Sequence, residues 1–243
     1  MIAIDIGNSR LKWAVLVHDR WISQGAIPLA QIGDLAEVVR DWPAGAHVVG
    51  CNVAGEAVEA GVLRILGEAS FRVDWLRSSR EACGVCNTYD EPERLGADRW
   101  AALIGARATV QSDCLVVCAG TATTINVMDA EGNFRGGAIL PGIEMMIASL
   151  AEKTAQLPLA SGAYRAEPRN TMDAIVTGCL HAQIGAIERM FAANCAPPQS
   201  ICLLTGGGAA TLAPLLSIPS RLEENLILDG LKAYARSLVS ERE

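Results

Sequence analysis

The chain has 243 residues, 51% of them hydrophobic and 19% charged. That balance is globular, excludes disorder as the main state and supplies a core that needs no disulfide or metal staple to fold. Twenty basic against 27 acidic side chains give a net charge of −7 with no basic block, which argues against a nucleic-acid surface, so no direct nucleic-acid binding is expected. No apolar run approaches the ~20 residues of a membrane span, and the start, MIAIDIGNSR, lacks the basic-then-apolar layout of a secretion signal. A cytoplasmic protein with no membrane partner is expected.

The first residues alternate as a strand, with Ile2, Ile4 and Ile6 on one face. Gly7-Asn8-Ser9 then turns the chain, and Leu11, Trp13 and Val15 return, which is a hairpin pattern. Apolar spacing predicts helices over 34–41 and 54–69, with a short strand at 47–53 between them. Residues 72–76 read as another strand and 99–109 as a helix. The opening then repeats: 114–128 is again strand, glycine-centred turn, strand, and Asp5-Ile-Gly-Asn aligns with Cys118-Ala-Gly-Thr at an offset of 113. A strand around 134–140, helices at 143–155 and 171–194, a strand at 201–207, a helix in 209–216 and a last helix over roughly 222–240 follow. Strands interleaved with helices in two similar halves predict an α/β architecture of two related domains.

The eight cysteines, in a chain of this length without a secretion signal, read mostly as small reduced core residues. Cys83 and Cys86 form one Cys-x-x-Cys, but no second pair and no His pair completes a zinc set, so they read as ordinary thiols in a loop. His18, His47 and His181 share no motif and read as structural or exposed. The three lysines are Lys12, Lys153 and Lys232. None follows a Gly-x-x-x-x-Gly, so a Walker A loop is excluded and nucleotide chemistry needs another phosphate cradle.

Three turns could supply one. Asp5-Ile6-Gly7-Asn8-Ser9 ends a strand on a carboxylate and then exposes backbone N–H groups. Such a turn can hold a metal ion through Asp5 while amides and the Asn8 and Ser9 side chains approach phosphate oxygens, with Lys12 adding charge. By itself the motif reads first as an ordinary Asp/Gly/Asn hairpin. Gly120-Thr121-Ala-Thr123-Thr124 offers amides and hydroxyls in the same way, or is simply a small-residue turn. Leu203-Leu-Thr205-Gly206-Gly207-Gly208 ends an apolar strand; its glycines suit a base or ribose, or tight helix–strand packing. The three in this order resemble the plan of the actin-like, Hsp70-like and sugar-kinase ATPases.

The segment Tyr89-Asp-Glu-Pro92-Glu-Arg-Leu95-Gly96-Ala97-Asp98-Arg99 resembles the signature of the type III pantothenate kinases. Its neighbours agree: the opening Asp-x-Gly-Asn-Ser, Gly-Thr-Ala-Thr-Thr, Gly136-Gly137-Ala-Ile139-Leu-Pro141-Gly142, Asn170-Thr171 before Gly178, Thr205-Gly206-Gly207 and Leu228-x-Gly230-Leu231. The ordered set runs from residue 2 to about 231. The resemblance implies ATP-dependent phosphorylation of pantothenate to 4'-phosphopantothenate, the first step of coenzyme A biosynthesis. It implies two ribonuclease-H-like (actin-like ATPase) domains with mixed sheets flanked by helices and an active-site cleft between them. Their expected extents are 1–112 and 113–243, the last helix packing back on the first domain.

By the same resemblance Asp98 is the general base, and Tyr89, Gly96, Ala97, Asp98, Arg99 and Thr171 bind pantothenate. ATP is bound by the loop Asp5, Ile6, Gly7, Asn8, Ser9, Arg10, Leu11 and Lys12, by Thr121 and by Gly206 and Gly207, with Mg2+ on Asp5. A homodimer is expected. Since Asp98 precedes a helix, it also reads as that helix's N-cap, and both roles can hold at once. One position departs from the family pattern, which carries an acid two before the second glycine, associated with a monovalent cation (K+ or NH4+). Here the position is Cys118, a poor ligand for K+, so either other groups hold the cation or the requirement is weaker. The competing reading is an accessory regulator of transcription with weak or lost kinase activity.

Overall fold

The computed structural model describes residues 1–196 and 198–240; the last positions of the expected second domain, 241–243, lie outside them. The chain gathers into two compact units, one from Met1–Thr109 with the segment that starts at Asn225, the other from Val110–Glu224.

In the first unit β1 (Ile2–Ile6) and β2 (Arg10–Val17) form the expected hairpin. β3 (Arg20–Pro28) extends it antiparallel. This edge strand gives almost no sequence signal, because most of its side chains face solvent and only Ile27 is buried. The expected helix at 34–41 shrinks to α1 (Leu35–Val38), with 3-10 turns on both sides. Gly33 before it and Pro43 after it leave too few residues to offset the cost of helix nucleation. β4 (Val48–Asn52), α2 (Glu56–Glu68) and β5 (Val73–Trp75) follow as read. The sheet order is β3-β2-β1-β4-β5, with β4 parallel to β1 and β5 parallel to β4. Every residue of β1 is buried. Ile2, Ile4 and Ile6 pack with Leu35, Val62 and Leu66 in one core.

The Cys-x-x-Cys segment is a small hairpin rather than a loop, β6 (Glu81–Ala82) and β7 (Val85–Asn87). Cys83 and Gly84 take φ of 51° and 75° at its turn, which is the mirror-image turn suited to a two-residue hairpin. None of the eight cysteines is disulfide-bonded. α3 (Ala97–Thr109) comes next.

The second unit repeats the order of the first. β8 (Cys114–Ala119), β9 (Ala122–Met128) and β10 (Asn133–Pro141) run antiparallel in turn. α4 (Ile143–Lys153) and the 24-residue α5 (Thr171–Asn194) precede β11 (Ile201–Thr205). α6 (Ala209–Leu212) gives way to a 3-10 turn at Pro214, because proline removes the amide that would continue the helix. β12 (Ser220–Leu222) occupies the start of the expected last helix; it is three exposed residues parallel to β11, too short for periodicity to register. The order β10-β9-β8-β11-β12 matches the first sheet strand for strand. Its core joins Leu115, Val117 and Ile125 to Leu180, Ile187 and Phe191 of α5.

α7 (Leu226–Ser240) closes the first unit by packing on α3. The helices touch backbone to backbone. A β-carbon at Gly230 would run into the Ala101 carbonyl, and one at Gly105 into that of Leu226. The motif glycine at 230 therefore serves this crossing. Among the described residues no helix is long and apolar enough to cross a membrane.

Candidate active site

In the first unit the expected site residues collect at one end of β1. Asp5 is its penultimate residue, 5% exposed. It is paired in register with Lys12 on β2 and Cys51 on β4. The Cys51 thiol lies 3.5 Å from Asp5 Oδ1. Burial pushes the Asp5 carboxyl up to about 6; Lys12 opposes the rise, the Asp98 charge adds to it, and the Cys51 hydrogen bond opposes it. Burial, with the two aspartates, also pushes the Cys51 thiol up, so it donates to the carboxylate as a neutral group.

The turn that follows closes with the Gly7 amide donating to the Arg10 carbonyl at 3.0 Å. Asn8, Ser9, Arg10 and Lys12 are exposed. Ile6 and Leu11 are fully buried, and the Ile6 carbonyl already accepts from the Val53 amide. These two hold the turn through the core and offer a ligand no side chain.

Asp98 is the second residue of α3, not the residue before it. The N-cap reading is corrected accordingly: the helix begins at Ala97, and Asp98 Oδ1 accepts from the adjacent Arg99 amide at 2.7 Å. Burial pushes the Asp98 carboxyl up, against the lowering effect of the Arg99 amide and guanidinium. The carboxylate folds over Gly96, where a β-carbon would lie 2.7 Å from Asp98 Oδ1; glycine makes that seat possible. Arg99 is buried and donates from Nη1 to the Tyr89 hydroxyl at 3.0 Å, its guanidinium carbon 5.7 Å from the ring centroid. A half-buried acid with raised basicity thus stands beside a fixed guanidinium and a phenol. The Asp98 charge also reaches the strand-end carboxylate of Asp5.

Within the second unit, the turn joining β8 to β9 closes with the Gly120 amide on the Ala122 carbonyl at 3.1 Å, leaving Thr121 exposed. Gly206 has φ of 95°, and a β-carbon there would strike the Ala119 carbonyl. Packing on β8 therefore explains this glycine. Nothing lies within 4 Å of a β-carbon built at Gly207, so that position is open to a ligand. Thr171 opens α5 behind the N-cap Asn170, whose Oδ1 accepts from the Asp173 amide at 2.9 Å. It lines a cavity of about 930 Å³ with Met146, Leu150, Asn170 and Cys179.

The residues present fit Mg2+ at Asp5. The group is one hard carboxylate oxygen donor, and a divalent cation shared with phosphates and water needs little more from a protein. Among the described residues no cluster of three or more His, Cys, Asp or Glu forms a cage. They do not fit a monovalent cation held by an acid at position 118. Cys118 is a half-buried thiol whose partners in register are Thr124 and Thr205, with no carboxylate in the set.

Sequence reasoning missed Cys51, Asn87 and Arg80. The strand VVGCNV gives no hint that its cysteine faces Asp5. Asn87 had a readable signal, an Asn two residues before Tyr89, the spacing of an Asx turn. Of the three histidines, His47 pairs with Asp74 at 2.6 Å, His181 lies edge-on to Tyr164 and His18 is exposed.

A profile of the family Type III pantothenate kinase matches residues 1–193. The chain is 50% identical over 236 residues to a type III pantothenate kinase of Aromatoleum aromaticum, covering 97% of this chain and 98% of that one. It is 46% identical over 235 residues to one of Dechloromonas aromatica, with the same coverage. Among solved structures, a Campylobacter jejuni protein described as a Baf family transcriptional activator superposes with a TM-score of 0.66 at 21% identity, covering 99% of this chain and 100% of that one. A Sinorhizobium meliloti protein described as a 2-dehydro-3-deoxygalactonokinase gives 0.63 at 15%, covering 98% of each.

Proposed function

The chain belongs to the type III pantothenate kinases, and from that premise we propose how its own residues divide the work. The fold is that of the actin-like and sugar-kinase ATPases. The reaction transfers the γ-phosphoryl group of ATP to the primary hydroxyl of pantothenate, giving 4'-phosphopantothenate and ADP, and opens coenzyme A biosynthesis.

Asp98 accepts the hydroxyl proton as the alcohol oxygen bonds to the γ-phosphorus and the bond to the β-phosphate oxygen breaks. The observation that carries this assignment is the half-buried Asp98 carboxylate seated over Gly96, whose desolvation raises its basicity against the lowering effect of Arg99. A carboxylate of raised proton affinity is the better base, and such catalysis is typically worth ~10²–10⁴ in rate. Arg99 and Tyr89 hold pantothenate, the guanidinium forking onto its carboxylate; Gly96 and Ala97 complete that contact, and Thr171 serves the same substrate. The amides and exposed side chains of the Asp5 to Lys12 loop, with Thr121, take ATP phosphates, while Gly206 and Gly207 let the nucleotide approach the backbone. Mg2+ on Asp5 supplies charge neutralisation for the phosphates when bound. No step is assigned to a monovalent cation.

A homodimer is part of the reading. α4 is rich in Ile, Met and Leu yet buries none of its residues, and Ile139 and Met145 are 64% and 45% exposed. A cytoplasmic location is likewise part of the reading. Nothing favours the regulatory alternative, since likeness at 21% identity shows the fold alone. ADP release measured with ATP over a panel of small acids and sugars tests the activity. Turnover is expected with pantothenate, and turnover with a sugar but not with pantothenate would overturn the reading.

A further inference from the structure

Before α3 the chain must carry Tyr89 through a reversal that has no ladder of its own. β7 ends at Asn87, and the next regular structure is the 3-10 turn Pro92–Arg94. Backbone groups in such a segment need partners, and two side chains supply them. Asn87 is fully buried. Its Oδ1 accepts from the Tyr89 amide at 3.1 Å and its Nδ2 donates to the Pro92 carbonyl at 3.0 Å. Arg80 is exposed, and its Nη1 donates to the carbonyls of Asn87 at 3.0 Å and of Tyr89 at 3.2 Å. The Arg80 carbonyl in turn accepts from the Asn87 amide at 2.8 Å. The amide and carbonyl of Tyr89 are thus both tied, one by each side chain.

We propose that Asn87 and Arg80 are positioning residues for the acceptor substrate: by fixing the backbone of Tyr89 they hold its hydroxyl on Arg99, and so set the guanidinium that receives the carboxylate of pantothenate. This rests on the acceptor-site reading above. A side chain confined to one direction by its backbone needs no ordering when substrate arrives, and misplacement by a fraction of an ångström weakens a bidentate contact. The energetic asymmetry is large. Removing the Asn87 amide takes the side-chain acceptor from the half-buried Tyr89 amide and leaves the half-buried Pro92 carbonyl with the Leu95 amide at 3.2 Å, so the loop is free to shift toward water.

The test is steady-state kinetics with both substrates, calorimetric ATP binding and a thermal melt, on Asn87→Ala, Arg80→Met and Arg80→Lys, with Tyr89→Phe and Arg99→Lys alongside. The expected result is a rise of about tenfold or more in KM for pantothenate for Asn87→Ala and Arg80→Met, with ATP affinity and kcat changed less than about threefold. Arg80→Lys, which keeps a donor for the two carbonyls, should recover most of that loss. A role confined to stability predicts a lower melting temperature and unchanged KM. If Tyr89→Phe and Arg99→Lys raise KM for pantothenate while Asn87→Ala and Arg80→Met do not, positioning is refuted and the acceptor site stands. If none of them raises it, the acceptor site itself is refuted, and the proposal with it. Should Asn87→Ala fail to fold, Arg80→Met decides, because that side chain is at the surface.

Discussion

Asp5→Asn separates what the strand-end carboxylate does for binding from what it costs the fold. Asp5 is 5% exposed, and its proton affinity is raised from 3.8 to about 6, chiefly by burial. The folded state therefore holds the proton more tightly than the unfolded chain does. Stability that is fully present below about 3.8 is lost as pH rises through about 6, which is opposite to a carboxylate lowered by a salt bridge. At about 1.4 kcal/mol per tenfold change in affinity, the ionised group costs ~3 kcal/mol above neutrality. Asparagine keeps the shape without the charge. With nucleotide absent and a chelator present, Asp5→Asn is expected to stabilise the protein by up to ~3 kcal/mol at pH 8 and roughly half that at pH 5. For a chain of this size that is on the order of 5–10 °C in melting temperature at the higher pH. Calorimetric titration of the same variant with Mg·ATP should show weakened binding, since the carboxylate no longer meets the cation. A gain in melting temperature that is equal at both pH values, or absent at pH 8, would refute the argument that burial of the charge is what raises Asp5.

Asp98→Asn should lower kcat by about two to four decades while calorimetric ATP affinity stays close to the parent, because only the proton acceptor is removed; full activity would end the general-base assignment. Cys118→Asp should make activity more dependent on K+ across a concentration series, by adding a hard anionic oxygen where a thiol stood, and an unchanged K+ response would leave residue 118 without a role in cation binding.

The parts of the fold that show in the sequence are those where one physical pattern dominates. The β1–β2 and β8–β9 hairpins announce themselves through apolar runs broken by glycine, and α5 through 24 residues without a proline. β3, β12 and the β6–β7 hairpin stay hidden because they are short or exposed strands in which no alternating apolar pattern can register. At the site, Asp5, Asp98 and Arg99 are legible from the residues around them, whereas Cys51 reaches Asp5 only through parallel register between β1 and β4. Asp98 shows the limit of local reading. Its place before an apolar helix suggests a cap, but the helix starts one residue earlier and its carboxylate turns back over Gly96 instead.

The glycine crossing of α3 and α7 has a consequence for synthesis on the ribosome. α7 is translated only after the whole of Val110–Glu224, and at ~5–20 residues per second that delay is on the order of ten seconds. Throughout it the first unit lacks the helix that covers Gly105, although Asp98 and Arg99 have long since emerged. A nascent chain therefore carries every residue of the acceptor-binding segment before it has the helix that packs against α3, and that segment becomes fully supported only once α7 has been made.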